Sequence, residues 1–196
     1  MNTSFYTDSE LMGLGIKKMG KNVSISRNAS IYSPENIELG DNVRIDDFCI
    51  LSGKIKLGSY IHIAAYTGIF AGEGGVILED YTGVSSRCAI YALSDDYSGE
   101  YMMNPVVPSK YRNVTQKEVK IMKYAIIGTG CTILPGVIVG EGVAVGAMSL
   151  INRNLDAWKI YAGIPCKQIR ERRRELIYKA EDFEEILGRD MNMKEI

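Results

Sequence analysis

Two carboxylates stand side by side at Asp95 and Asp96, in the stretch IYALSDDYSGEYMMNP of residues 90–105. Adjacent acids attract and orient an ammonium group, and they can take the proton that an amine sheds when it reacts. Toward a hydroxyl, a carboxylate with an ordinary pKa of about 4 is a poor base unless burial or its like-charged neighbour raises it. The same SDDYSG segment also reads as a turn, with an Asp capping backbone amides and Gly99 supplying an unusual dihedral angle. Around the acids lie Tyr91 and Tyr97, candidate substrate contacts, and upstream stands Glu73 in the segment FAGEGG. His62 is the chain's single histidine and the remaining candidate base. Cys49, Cys88, Cys131 and Cys166 form no CxxC pair, so they read as reduced thiols with neither a zinc ribbon nor a redox motif.

The elements that must hold these groups repeat with a period of six. Large apolar residues recur at Met19, Ile25 and Ile31; at Leu39, Ile45, Leu51, Leu57, Ile63 and Ile69; at Leu78, Val84 and Ile90; and at Ile121, Ile127, Ile133, Val139, Val145 and Ile151. These eighteen hexads fit neither a helix nor a hairpin sandwich. The fifth hexad position is small or β-branched, as at Val43, Thr67, Val137 and Ser149, and Cys49, Cys88 and Cys131 fall there as compact apolar groups. Units such as LGDNVR put Gly, Asp or Asn where a tight corner needs positive φ. Short strands joined by such corners make a stacked parallel β coil.

The period slips between Ile31 and Leu39, between Ile69 and Leu78, and above all between Ile90 and Ile121, which carry twenty-five extra residues. A solenoid extrudes such a loop without losing its stack, and long loops in compact proteins tend to be functional. Before the coil, Thr7, Asp8 and Ser9 are possible N-caps of a short helix; after it, Ile169, Leu176, Ile177, Phe183, Ile186 and Leu187 are spaced as one helical face. The division expected is a helical cap at 1–18, a β-helix at 19–170 with its loop at 91–118, and a helical segment at 171–196.

With 196 residues, 46% of them hydrophobic, and a net charge of −1, the chain suits one soluble domain and no nucleic-acid partner. No apolar run is long enough to span a membrane, and the first residues lack a basic segment followed by an apolar one. A cytoplasmic protein is expected.

The hexads resemble those of the hexapeptide-repeat acyltransferases, whose fold is a mainly β, left-handed parallel β-helix with three hexads per coil; eighteen hexads then make about six coils. The stretch from Ile126 to Arg170, ending in AGIPCKQIR, is similar to the closing coils of the galactoside and maltose acetyltransferase branch. That resemblance implies acetyl-CoA as co-substrate, no metal, a sugar acceptor, and a homotrimer with active sites between subunits. It places the CoA phosphates at Arg153, Lys167 and Arg170, residue types suited to phosphate, and the pantetheine channel near Gly128, Ala147 and Ser149. The run Arg172, Arg173, Arg174 reads as a solvated helix face.

At the acceptor side the chain departs from the pattern. The slot of the branch's catalytic histidine is Asp95, that of a supporting asparagine is Ala65, and that of an acid is Glu73. An amine attacks a thioester without prior deprotonation, so these substitutions favour N-acetylation of a nucleotide-linked amino sugar, chemistry that the family uses in making surface polysaccharides. The alternatives are O-acetylation with Asp95 or His62 as base, and a β-helix scaffold without catalysis.

Overall fold

The computed structural model describes residues 4–193. The hexads wind into a three-sided coil whose sides are parallel ladders of very short strands. On the first side Met19, Leu39, Leu57, Leu78, Ile121, Val139 and Leu155 stack in register. The second side stacks Ile25, Ile45, Ile63, Val84, Ile127, Val145 and Tyr161, and the third Ile31, Leu51, Ile69, Ile90, Ile133 and Ile151. All but Met19 and Ile31 are buried. The six coils therefore run on into a partial seventh. Leu155 follows Ile151 after four residues instead of six, which hides this rung from the six-residue period.

Each inward aliphatic contributes about 1.5–3 kcal/mol by leaving water, and the small fifth-position side chains fill the tube's corners. Among these, Thr67 Oγ1 donates to the carbonyl of Ser85 (2.9 Å) and Ser149 Oγ to that of Gly146 (2.7 Å), so buried hydroxyls keep partners. The four cysteines are free and buried. A hydrogen bond with Cys131 and burial both push the Cys88 thiol up.

The corner between the first and second sides holds one left-handed residue per turn: Asn22, Asn42, Tyr60, Tyr81, Tyr124, Gly142 and Trp158. Asn and Gly were expected there; the bulky aromatics were not. Holding a bulky residue at positive φ costs on the order of 1–3 kcal/mol. Stacking offsets part of it, with Tyr60 on Tyr81 at 4.9 Å and Tyr81 on Tyr124 at 5.5 Å between ring centroids. The C-terminal helix α1 (Leu176–Met193) lies along this aromatic ladder. Phe183 meets Tyr60 edge-on, and Tyr81 donates to Glu184 at 2.9 Å.

Two expectations at this end need correcting. Ile169 belongs to the strand Cys166–Glu171, which pairs antiparallel with Lys159–Gly163, and not to the helix. The Arg172–Arg174 run precedes the helix, and Arg172 is half-buried: its Nη1 donates to the carbonyls of Tyr124 (2.9 Å), Gly142 (3.0 Å) and Val143 (3.3 Å). At the other end a short helix, Asp8–Met12, starts at Thr7, whose backbone N–H donates to Glu10 at 2.8 Å; Leu11 is buried beneath it.

Every departure from the six-residue step falls at the corner between the third and first sides. Strands Ile50–Leu57 and Gly68–Leu78 run through that corner side by side. Gly53, at φ +93°, permits it, because a Cβ there would sit 2.4 Å from the Gly72 nitrogen.

Ile133, fully buried mid-ladder, provides a test of the stack. Ile133→Ala should cost about 2–5 kcal/mol, read from urea unfolding, and a loss below about 1 kcal/mol would contradict a close-packed tube.

Candidate active site

The extruded loop leaves the coil after strand Ala89–Tyr91 and returns at Val119–Ile121. Its neck is a two-residue ladder in which Leu93 pairs with Gln116 and Ser94 with Thr115, antiparallel. The amide of Lys117 donates to the Ala92 carbonyl (2.9 Å), and that of Ala92 to the Phe70 carbonyl (2.9 Å), stitching the neck to the coil. Gly74 lies against this seam: a Cβ would sit 2.6 Å from the Ala92 oxygen.

Between the loop and the third side lies a cavity of about 610 Å³, lined by Ser52, Phe70, Tyr91, Asp95, Tyr97 and Arg112 among others. Phe70 and Tyr91 stack at 5.0 Å along one wall, while Tyr97 is exposed at the mouth. Asp95 is half-buried there. One of its oxygens accepts from the backbone N–H of Asn104 (3.1 Å), which fixes the carboxylate to the far limb of the loop. Among the described residues its other oxygen has no hydrogen-bond donor.

Asp96 is placed differently. It accepts from Ser98 Oγ (2.9 Å) and the Gly99 amide (3.0 Å), closing the turn that SDDYSG also suggested. Desolvation alone would raise its carboxyl, yet the hydrogen bonds from Ser98 and Gly99 hold it below the ordinary range. The structure thus divides the pair, with one acid facing the cavity and its neighbour folding the chain.

His62 lies on the outer surface of the second side, its Nε2 2.8 Å from Asp46 Oδ2. It borders a separate cavity of about 500 Å³ under α1, with Tyr60, Tyr81 and Phe183. Glu73 turns outward to Lys54, 2.6 Å away, and does not line the Asp95 cavity.

The residues expected at CoA lie on the second side and the far end. Gly128 is half-buried and must be glycine, since a Cβ would lie 2.6 Å from the Ala147 nitrogen; Ala147 is exposed. Together with Ala64, Ser85, Gly146 and Ala162 on neighbouring turns, Gly128 gives the outer face a furrow of small residues. Ser149 points inward, where its Oγ also accepts from the Gly163 amide (3.0 Å). Arg153 reaches the Cys166 carbonyl (3.4 Å), and Lys167 and Arg170 are exposed on the last strand. Arg170, Arg172 and Arg173 border a further cavity of about 650 Å³. Sequence reasoning did not single out Arg112, which lines the Asp95 cavity. Among the described residues, no three His, Cys, Asp or Glu side chains converge on a metal position, and no helix is long and apolar enough to cross a membrane.

A family model for bacterial transferase hexapeptide (six repeats) matches residues 118–153. The dTDP-4-amino-4,6-dideoxy-D-glucose acyltransferase of Escherichia coli is 46% identical over 177 residues, covering 89% of this chain and 92% of that protein. The chain belongs to the hexapeptide-repeat acyltransferases. Its coil is accordingly the left-handed β-helix of that family. The crystal structure of AntD, an N-acyltransferase from Bacillus cereus in complex with dTDP and 3-hydroxybutyryl-CoA, matches with a TM-score of 0.93 at 48% identity, covering 96% of this chain and 100% of that one. WbbJ of Escherichia coli K12, a putative lipopolysaccharide biosynthesis O-acetyl transferase, is 28% identical over 75% of this chain and 74% of its own. For this acyltransferase the seam at Gly74 is the part most exposed to a small change. Gly74→Ala should destabilise the neck by about 1–3 kcal/mol, as overpacking does. Amide exchange should then quicken at Ala92 and Lys117, whose N–H groups stitch the neck to the coil, but not at Ile90 or Ile133; unaltered exchange at the neck would show that the seam does not hold the loop.

Proposed function

We propose that this chain transfers a short acyl group, acetyl or a hydroxyacyl, from coenzyme A to the amino group of a nucleotide-linked deoxyamino sugar. The observation that carries the reading is Asp95, a carboxylate with one oxygen tethered and the other open to a cavity. Relatives support it: AntD has been crystallised with dTDP-4-amino-4,6-dideoxyglucose and coenzyme A, and with dTDP and 3-hydroxybutyryl-CoA. The aminosugar complexes are of AntD variants altered at a serine, and further variants, bound to dTDP and coenzyme A, are altered at an aspartate ten positions after it, the spacing that separates Ser85 from Asp95 here.

In the proposed reaction Asp95 orients the sugar's ammonium group, which gives one proton to water and becomes the amine. The nitrogen bonds to the thioester carbonyl carbon, the carbon–sulfur bond breaks, and the proton shed by nitrogen passes by way of Asp95 to the departing thiolate. Gly128, Ala147 and the furrow beside them accommodate the pantetheine, Arg153, Lys167 and Arg170 meet the phosphates, and Tyr91 and Tyr97 contact the acceptor. Ser149 supports the furrow from within the coil.

Asp95 and Ser85 lie on different sides of one coil, so a reaction that uses both draws them from two chains. A homotrimer with its sites between subunits meets that requirement. Acyl-CoA and nucleotide sugars are both charged and membrane-impermeant, so the proposed setting is the cytoplasm, early in the assembly of surface polysaccharides, in keeping with the similarity to WbbJ. A second reading, O-acylation, draws on the His62–Asp46 pair, an oriented imidazole of the kind a hydroxyl needs.

Thiol release from acetyl-CoA and 3-hydroxybutyryl-CoA, assayed against nucleotide-linked amino sugars and their hydroxyl counterparts, should show turnover with the amines. Turnover confined to the hydroxyl compounds, and lost in His62→Gln, would favour the second reading. Asp95→Asn should lower kcat about 100-fold while leaving CoA binding nearly unchanged, and an unaltered kcat would remove Asp95 from the chemistry. Co-expressing Asp95→Asn chains with Ser85→Ala chains should restore part of the activity that each homogeneous variant lacks, and no recovery would argue against a shared site.

A further inference from the structure

Arg112 enters the loop cavity from the limb opposite Asp95, just after the short helical turn Ser109–Tyr111. The bridge between Met102 and Arg112 and the Met102 amide's bond to the Tyr111 carbonyl (2.9 Å) anchor its backbone. Its side chain is a different matter. The Nε is buried and, among the described residues, has no hydrogen-bond partner. Neither Arg112 nor Asp95 forms an ion pair among the described residues, although both line a cavity of about 610 Å³. A guanidinium presents donors in a rigid fork that matches phosphate oxygens two at a time. A donor left unpaired in a buried position is costly unless a bound group satisfies it.

A cation and a carboxylate kept apart in one cavity fit a ligand that carries both charges at separate ends. Resting on the reading of Asp95 given above, we propose that Arg112 is the specificity-determining contact for the diphosphate of the nucleotide-linked acceptor. The acceptor's amino group then points to Asp95 and its diphosphate to Arg112, with the stacked Phe70–Tyr91 pair as the apolar wall beside them. The two charges set the orientation: a sugar nucleotide entering in reverse would place phosphate against carboxylate and ammonium against guanidinium. The cavity thereby selects nucleotide-linked amino sugars over free amino sugars, which lack the anion, and over nucleotide-linked neutral sugars, which lack the cation.

Titration calorimetry of the full chain with dTDP and with thymidine tests this. The wild type should bind dTDP far better than thymidine. Arg112→Ala should weaken dTDP binding about 10- to 100-fold and leave thymidine binding nearly unchanged, with Arg112→Lys intermediate because it keeps the charge but not the fork. In steady-state assays the KM for the nucleotide-linked amino sugar should rise in parallel, and the KM for acyl-CoA should not. Full retention of dTDP affinity in both variants would overturn the role of Arg112 while leaving the proposed function intact. Failure of the wild type to prefer dTDP over thymidine would instead overturn the nucleotide-linked acceptor itself. Should Arg112→Ala disturb the loop, shown by faster amide exchange at Ala92 and Lys117, the comparison rests on Arg112→Lys, whose undiminished dTDP affinity would equally count against the proposal.

Discussion

Everything in this molecule depends on the vertical contact of one inward aliphatic with the next. Six or seven such side chains stand above one another on each side of the tube, all but Met19 and Ile31 nearly free of water, and the strands that carry them are too short to hold together alone. Because burial is repeated and not concentrated, no single rung sets the shape. A rung stays in place so long as its neighbours above and below do.

The period made that stack legible in the amino-acid order. Ile90, Ile133 and their partners could be assigned to ladders before any coordinates, since nothing but a six-residue corner-to-corner step keeps them in phase. The rungs at Leu155 and Tyr161 were invisible because the chain shortens its step there. The positive-φ aromatics at Tyr60, Tyr81, Tyr124 and Trp158 were equally hidden, since local preference assigns that backbone to Gly or Asn and only stacking across turns, which has no signature within one hexad, reverses it.

The site was legible only in outline. The break in period located the loop, and the adjacent acids marked it as unusual, but two neighbouring aspartates are equivalent on paper. Their separation into a cavity-facing Asp95 and a turn-closing Asp96 depends on where Asn104 and Gly99 arrive, nine and three residues away. Arg112 had no local signal at all. Its significance lies in a missing partner, which only the folded loop reveals.

All the irregularity sits on one edge of the prism. Strands that stack on the other two edges keep their step whatever happens along this one, so residues can be added or removed there without disturbing the neighbouring rungs. The fold is in effect a fixed column with one editable seam. On the proposed reading, rewriting the 91–118 excursion exchanges one recognised small molecule for another while the furrow of small residues on the adjoining surface stays as it is.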